Sequence, residues 1–499
     1  MQSIWSHYAD IHEFPRLEEN LLTDVAIIGG GITGISAAHS LARQGKKVAV
    51  LESRKVGGGT SGHSTGNLYY TIDKILSSLK SKYDNETIKM VAESRSQALK
   101  QIAMWVREYN LDCDFRQVPW HLYSHGKESK SKIDDEYETG RKAGLPMHII
   151  QETEMPVPAV RAVKLDEQAQ INPMRCVQEL AKKVEGEQCQ IYEQTHASSV
   201  KEEDDYFKIR TAGGMVTAEH VIHATHTPKG VKVVQTLLGP YREYGIACRT
   251  EKKVHPDGIF WGYFDGGQKI STRNYSRNGE HYLIAVGEPH KVGHDEHNEQ
   301  SIEKLESFAR KYFDIQEVVF RWGGQHYRPA DLLPYIGSTF RHDREYVATG
   351  YSTDGLVYGT LAGMILGDLI TGKENPWTDL YKATRKQPAK SASNFLKENL
   401  DVAKQYVKEF TVKEDEIDVV DLPKGEGKVV EQDGQKLAVY RNDEGHLQIR
   451  SATCTHLKCT VSWNSAEKSW DCPCHGSRFE TDGTVIEGPA FHVLPNIKS

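Results

Sequence analysis

The sequence predicts an α/β domain, then a polar linker and a small all-β module. Three observations predict this. A glycine fingerprint, Gly29-x-Gly31-x-x-Gly34, lies between a buried-strand pattern and a helix pattern. Up to about residue 375, short apolar runs alternate with helical patterns and glycine-rich turns, as α/β domains require. Beyond about residue 426 the pattern changes to short alternating runs ("KLAVYRN", "HLQIRSA", "TVIEGPA") broken by Asp, Asn and Gly, which read as strands of an all-β unit.

Composition bounds the answer. A chain of 499 residues suggests about three folding units at ~150 residues each. With 38% hydrophobic and 26% charged residues it has enough apolar material for real cores. The net charge of -7 argues against a generic nucleic-acid binder. "MQSIWSHYADIHEF" has no basic segment followed by an apolar one, so no secretion signal is expected. The longest apolar candidate, "LVYGTLAGMILGDLI", is short and contains Asp368, so no membrane span is expected and the cytoplasm is the expected location. Cys113, Cys176, Cys189 and Cys248 are scattered and read as reduced, buried, structural thiols.

The fingerprint belongs to "TDVAIIGGGITGISAAHSLARQGKKVAVLE", Thr23 to Glu52. "VAII" is a β-branched strand, "ISAAHSLARQG" a helix with Gly45 suited to its C-terminal cap, and "KVAVLE" a second strand ending in Glu52. The first glycine permits the tight turn, the second lets a pyrophosphate approach the backbone, and the third lets helix and strand pack closely. The helix N-terminus offers N–H donors and positive dipole to the phosphates, and Glu52 can accept from ribose hydroxyls. Strand, helix, second strand and acid fall in register for a dinucleotide site.

Three further segments refine this. "GGGTSGHSTG" (Gly57–Gly66, with Ser61 and Gly62) is a second small-residue loop. "AEHVIHATHTP" ends a strand at Ala224-Thr225, and "YVATGYSTDGLVYGTLAGMILGDLI" is a strand, a glycine turn and a small-residue helix opening at Asp354-Gly355-Leu356. Together, over about residues 20–375, they resemble the D-amino-acid oxidase-like superfamily of FAD-dependent oxidoreductases. The resemblance implies an FAD-binding Rossmann-type domain assembled from about 20–84, 151–234 and 326–375. It implies an inserted α+β substrate domain from about 85–150 and 235–325. It also implies hydride transfer to the flavin from a C–H beside an amine, or sometimes a hydroxyl. Relatives that tether flavin through a nearby histidine raise that role for His63, against a polar loop residue near the cofactor. In amino-acid-oxidising relatives an arginine before proline clamps the substrate carboxylate. Arg328-Pro329 stands there in "RWGGQHYRPADLLPYIG", at a shorter spacing to Asp331, which leaves a surface or structural ion pair as its other reading.

The C-terminal cysteines are clustered in "CTHLKCTVSWNSAEKSWDCPCHGS". Cys454-x-His456 and Cys472-x-x-His475 would each present one thiolate and one imidazole from a loop. In a Rieske [2Fe-2S] centre one iron takes two sulfurs and the other two nitrogens. "CTHL" and "CPCHGS" resemble the Rieske family, and Gly488-Pro489-Ala490 resembles its proline loop. The resemblance implies a disulfide between Cys459 and Cys474. A two-Cys, two-His zinc site is the rival, and it leaves the second cysteine pair unexplained. Two departures stand out: Lys458 replaces the usual glycine, and Phe479 replaces the tyrosine of high-potential relatives while Ser477 is kept. Fewer hydrogen-bond donors to the cluster imply a lower potential.

Residues 376–425 read as a polar, lysine-rich linker with an exposed helix from about Ala392 to Phe410. His290, His294 and His297 in "EPHKVGHDEH" read as a solvated loop rather than a metal site. The expected protein is therefore a fused FAD–Rieske dehydrogenase acting on a small amine or amino-acid derivative, with an external electron acceptor. An electron-transfer protein without organic substrate, or a structural or redox-sensing cluster, are the alternatives.

Overall fold

The structure is a computed structural model, and it describes residues 1–230, 233–294, 297–385 and 421–497. The expected helix at 392–410 lies outside these residues. A parallel sheet runs in the order Glu345–Thr349, Met215–His223, Leu21–Ile28, Val48–Leu51, Cys189–Tyr192. Tyr335–Ser338 adds an antiparallel edge and the hairpin Ser199–Glu203/Tyr206–Arg210 hangs beside Met215–His223. Val25–Ile28 and Val48–Leu51 are buried at every residue, as strands covered on both faces must be. One cover is Ile32–Arg43, and Gly355–Ile370 packs on it through a glycine stripe. An added Cβ would stand 2.8 Å from Ile32 at Gly359, 2.5 Å from Ser36 at Gly363 and 2.0 Å from Ser40 at Gly367. The small-residue helix is small because two backbones meet along it.

The second sheet has nine strands, eight running from Glu317–Pro329 through Leu238–Thr250, Glu280–Lys291, Lys269–Arg277, Ile259–Tyr263 and Arg116–Ser124 to Arg161–Gln170 and Asn67–Leu68, with Met147–Ile150 paired beside Arg161–Gln170. One face packs the helix Asn298–Tyr312 over Tyr244, Ile246 and Cys248. The other face turns toward the glycine-rich loop and the first sheet. Arg161–Gln170 falls within the segment 151–234 expected on the FAD side, yet it pairs antiparallel with Arg116–Ser124 and belongs to this sheet. Its alternating "RAVKLDEQAQ" fits a sheet with one wetter face, not the doubly covered parallel sheet.

The C-terminal module is all β. One three-stranded sheet is Gly427–Gln432, Gln435–Arg441 and Leu447–Ser451, and a four-stranded sheet joins Ser462–Asn464, Ser469–Asp471, Arg478–Phe479 and Val485–Glu487. Its core gathers Cys454, Cys459, Cys472, Cys474, Trp470 and Phe479. The four scattered cysteines of the first half are free and buried, as expected. Among the described residues no helix is long and apolar enough to cross a membrane.

Candidate active site and cluster site

The glycine turn is built by close approach. Gly29 has φ +110°, and a Cβ on it would lie 2.5 Å from the Ala224 carbonyl oxygen. A Cβ on Gly34 would lie 1.9 Å from the Gly29 oxygen. Gly31 is the N-cap of Ile32–Arg43, and the Ser61 hydroxyl accepts from Ile32 N at 3.0 Å. The Ala224 amide donates to Ile28 O at 2.9 Å, which brings Ala224-Thr225 beside the turn. Gly62 is buried where a Cβ would meet the Gly57 oxygen at 2.7 Å. Glu52 accepts from Gly30 N and Arg54 N, each at 2.8 Å, so its carboxylate is fixed at the end of the second strand. This cradle of bare backbone, helix N-terminus and oriented acid fits a dinucleotide diphosphate and ribose.

Asp354 uses its backbone and its side chain differently. Its backbone opens the helix Gly355–Ile370, with Leu356 buried in the first turn. Its carboxylate is buried, accepting from Tyr69 Oη at 2.5 Å and Asp73 N at 2.9 Å, with Arg95 Nη1 at 3.5 Å. The side chain is therefore committed inward. His63 Nδ1 donates to Gly59 O at 2.9 Å, and its own carbonyl accepts from Trp322 Nε1 at 3.1 Å. Burial lowers its pKa.

Across from the loop, the second sheet presents charge. Register sets Tyr241 opposite His326 and Glu243 opposite Gly324, on the face where Gly324 approaches the His63 carbonyl. Arg328 follows His326 by two residues on that same face, and its guanidinium stacks 3.9 Å over the Tyr241 ring. It is half-buried, and among the described residues it forms no ion pair. Asp73 pairs with Lys269 at 3.0 Å, and Lys269 lies 3.7 Å over Trp261. Burial, then the Asp73 carboxylate, pushes the Glu243 carboxyl up to about 7. Burial holds His326 well below its ordinary range and also lowers Lys74. Glu243, His326 and Asp73 were not singled out from the sequence, because a polar residue on a strand does not announce its face.

The C-terminal loops bring together the four candidate cluster ligands. Cys454 and Cys472 share a sulfur–sulfur hydrogen bond, which pulls the Cys454 thiol down to about 7 and raises Cys472. The His456 and His475 rings lie 5.0 Å apart, Nδ1 of His475 is buried without a partner, and the His456 ring has only the Gly230 backbone beside it. Burial holds both imidazoles low, His475 to about 4, so they are neutral and fit to ligate. Backbone N–H groups of His456, Leu457, Cys474 and His475, with the Ser477 hydroxyl, donate toward the two sulfurs. Such donors are the protein's lever on an iron–sulfur potential.

Cys459 and Cys474 form the expected disulfide, with Cα atoms 6.5 Å apart, and tie the two ligand loops. Lys458 has φ +66°, which explains the usual glycine there. His290 stacks on Tyr244 at 5.7 Å, and none of His290, His294 and His297 joins a metal-sized cluster among the described residues.

Phe479 is fully buried in the cluster-module core. Phe479→Tyr is expected to raise the reduction potential by on the order of 50 mV. A hydrogen bond to sulfur strengthens on reduction, and 59 mV is about tenfold for a one-electron couple. Redox titration followed by EPR measures it, and an unchanged or lower potential would mean the new hydroxyl does not reach a sulfur.

A family model for FAD dependent oxidoreductase (DAO) matches residues 24–369, and one for the Rieske [2Fe-2S] domain matches residues 414–498. The chain belongs to the FAD-dependent oxidoreductases and carries a Rieske [2Fe-2S] domain. This oxidoreductase is 30% identical over 499 residues to YhfW of Bacillus subtilis (strain 168), described as a Rieske 2Fe-2S iron-sulfur protein, covering 99% of this chain and 97% of that one. It is 22% identical to the gamma-glutamylputrescine oxidoreductase of Escherichia coli (strain K12), over 72% of this chain and 86% of that one. Its fold is similar to that of glycine oxidase from Geobacillus kaustophilus, with TM-score 0.60, 19% identity, and coverage of 73% of this chain and 99% of that one.

Proposed function

We propose that this oxidoreductase oxidises a small amine or amino-acid derivative at the C–H bond beside nitrogen, and passes the electrons through its Rieske cluster to an external one-electron acceptor. The observation that carries the reading is the pair Glu243 and Arg328 on the face that meets the glycine-rich loop. Neither has a hydrogen-bond or ion-pair partner among the described residues, and Arg328 Nε is buried unpartnered. Glu243 would take the substrate ammonium and Arg328 a carboxylate, for which a guanidinium fork is shaped. The gamma-glutamylputrescine oxidoreductase, by its name, acts on an amine derivative, which supports the class.

When bound, FAD supplies a hydride acceptor and the cluster a one-electron carrier. Loss of the C–H bond as hydride and of one N–H proton turns the amine into an imine. Two electrons and two protons leave, and two equivalents of acceptor are each reduced by one electron. The cradle, at Gly29, Gly31, Gly34, Glu52, Ser61, Gly62, Ala224 and Thr225, would orient the cofactor. Gly355 and Leu356 would bring a helix N-terminus to it.

Because burial pushes Glu243 up to about 7, its carboxyl is neutral below that pH and anionic above it. For an alkylamine, kcat/KM is expected to rise as pH increases up to about 7 and then level off. Glu243→Gln is expected to remove that limb and weaken kcat/KM by roughly 10- to 100-fold, the worth of a charge-assisted hydrogen bond. An anaerobic screen of amines and amino acids, followed by flavin absorbance, tests the whole proposal. If no amine bleached the flavin while a reduced one-electron donor did, the electron-transfer alternative would replace it.

A further inference from the structure

The strand Glu317–Pro329 is a wall with two different sides. His326 and Arg328 share the face of Gly324, which meets the glycine-rich loop, while Gln325 and Tyr327, both buried, face the Rieske module. Tyr327 Oη donates to the carbonyl of His475 at 3.1 Å and lies 3.3 Å from that of Gly488. Gln325 Nε2 donates to Gly476 O at 2.7 Å and to Tyr327 Oη at 3.1 Å. These carbonyls belong to the second ligand loop and the proline loop.

The same seam continues on either side. Gly230 N donates to Pro489 O at 3.1 Å, and the backbone of Gly230 borders the His456 ring. His226 stands edge-on to Tyr327 at 4.8 Å, bonds Glu487 at 2.6 Å, and reaches Thr60 of the glycine-rich loop at 3.2 Å. Below, Arg242 of the oxidoreductase sheet pairs with Glu467 of the module, which also meets Arg478 at 3.3 Å. Charges buried across a seam need each other, since an unpaired one is strongly destabilising. Within the module the cysteine ligands lie in its own core, whereas the His456 ring borders Gly230 and the His475 carbonyl meets Tyr327.

We propose that Tyr327 and Gln325 are positioning residues of the Rieske centre, holding its histidine edge docked on the oxidoreductase sheet so that this seam is the cluster's inward electron port. Domains joined by a linker move relative to one another by default unless their interface is large and apolar. Here polar contacts to ligand-loop carbonyls replace apolar area as the fixing device. The proposal concerns the cluster's docking and holds whatever the organic substrate is.

The test uses the full-length holoenzyme and no substrate. Hydrogen–deuterium exchange is followed in peptides covering 226–230, 472–477 and 488–491, and the cluster potential is measured by EPR-monitored titration. In the wild type all three segments are expected to be protected. In Tyr327→Phe, exchange is expected to accelerate at least about fivefold on both sides of the seam, the opening that follows loss of an ordinary hydrogen bond. The potential is expected to fall, because donors aimed at the ligand loop have been removed. Gln325→Leu should move both readouts the same way. Exchange in the wild type at open-loop rates would overturn the proposal even if a variant failed to fold. Unchanged protection and potential in a folded Tyr327→Phe would overturn it as well.

Discussion

Cys472→Ser is expected to yield an oxidoreductase with FAD but without iron or inorganic sulfide. A hydroxyl is a poor substitute for a thiolate on iron, and the remaining Cys454 cannot hold its share of a two-iron centre alone. The loss should stay local. Cys472 packs in a core with Cys454, Cys459, Trp470, Cys474 and Phe479, which is separate from the core around the glycine turn. The Cys459–Cys474 disulfide still ties the two loops. Substrate should therefore bleach the flavin in a single turnover at close to the wild-type rate. Steady-state reduction of a one-electron acceptor should fall more than about 100-fold, beyond the 10–100-fold that loss of a ligand's outer partner brings. Iron and sulfide analysis, flavin absorbance and acceptor assay read the three quantities separately. Equal loss of bleaching would place the cluster module inside the substrate site, and retained acceptor reduction would remove the cluster from the electron path.

What was legible in the sequence is what sterics or ligand chemistry dictates locally. Gly34 is readable because one Cβ there would collide with the Gly29 carbonyl, so the spacing itself encodes the turn. The cysteines and histidines are readable because thiolate and imidazole at short loop spacings have few other uses. Lys458 was visible as a departure, and its positive φ gives the reason a glycine usually stands there. The wall strand was not legible. "WGGQHYRP" alternates without an apolar face, so periodicity could not say that Gln325 and Tyr327 look one way and His326 and Arg328 the other. Glu243 needed the pairing with Gly324, and Arg161–Gln170 the pairing with Arg116–Ser124, before either had a place. Each of these is a long-range contact, on which local pattern is silent.

Asp354 carries two readings, cofactor contact and buried ion-pair partner, and Asp354→Ala should separate them. The sequence groups it with Gly355 and Leu356 as a cofactor contact. The structure turns its carboxylate onto Arg95, whose side chain is fully buried. Arg95 also donates to the carbonyls of Tyr70 at 3.2 Å and Tyr69 at 3.1 Å, and lies 4.4 Å over the Tyr358 ring. These contacts satisfy hydrogens but not charge. Removing the carboxylate leaves an unpaired buried guanidinium, which destabilises by about 3–5 kcal/mol. It also frees Tyr69 Oη and the Asp73 amide, and so loosens the Asp73–Lys269 pair. The expected variant unfolds at markedly lower urea concentration, with FAD still bound stoichiometrically in the folded fraction. Replacing both partners, Arg95→Met with Asp354→Leu, should recover part of the loss, because an apolar pair of similar volume leaves no orphan charge. If Asp354→Ala instead kept wild-type stability and lost FAD, the carboxylate would be a cofactor ligand and the inward ion pair incidental.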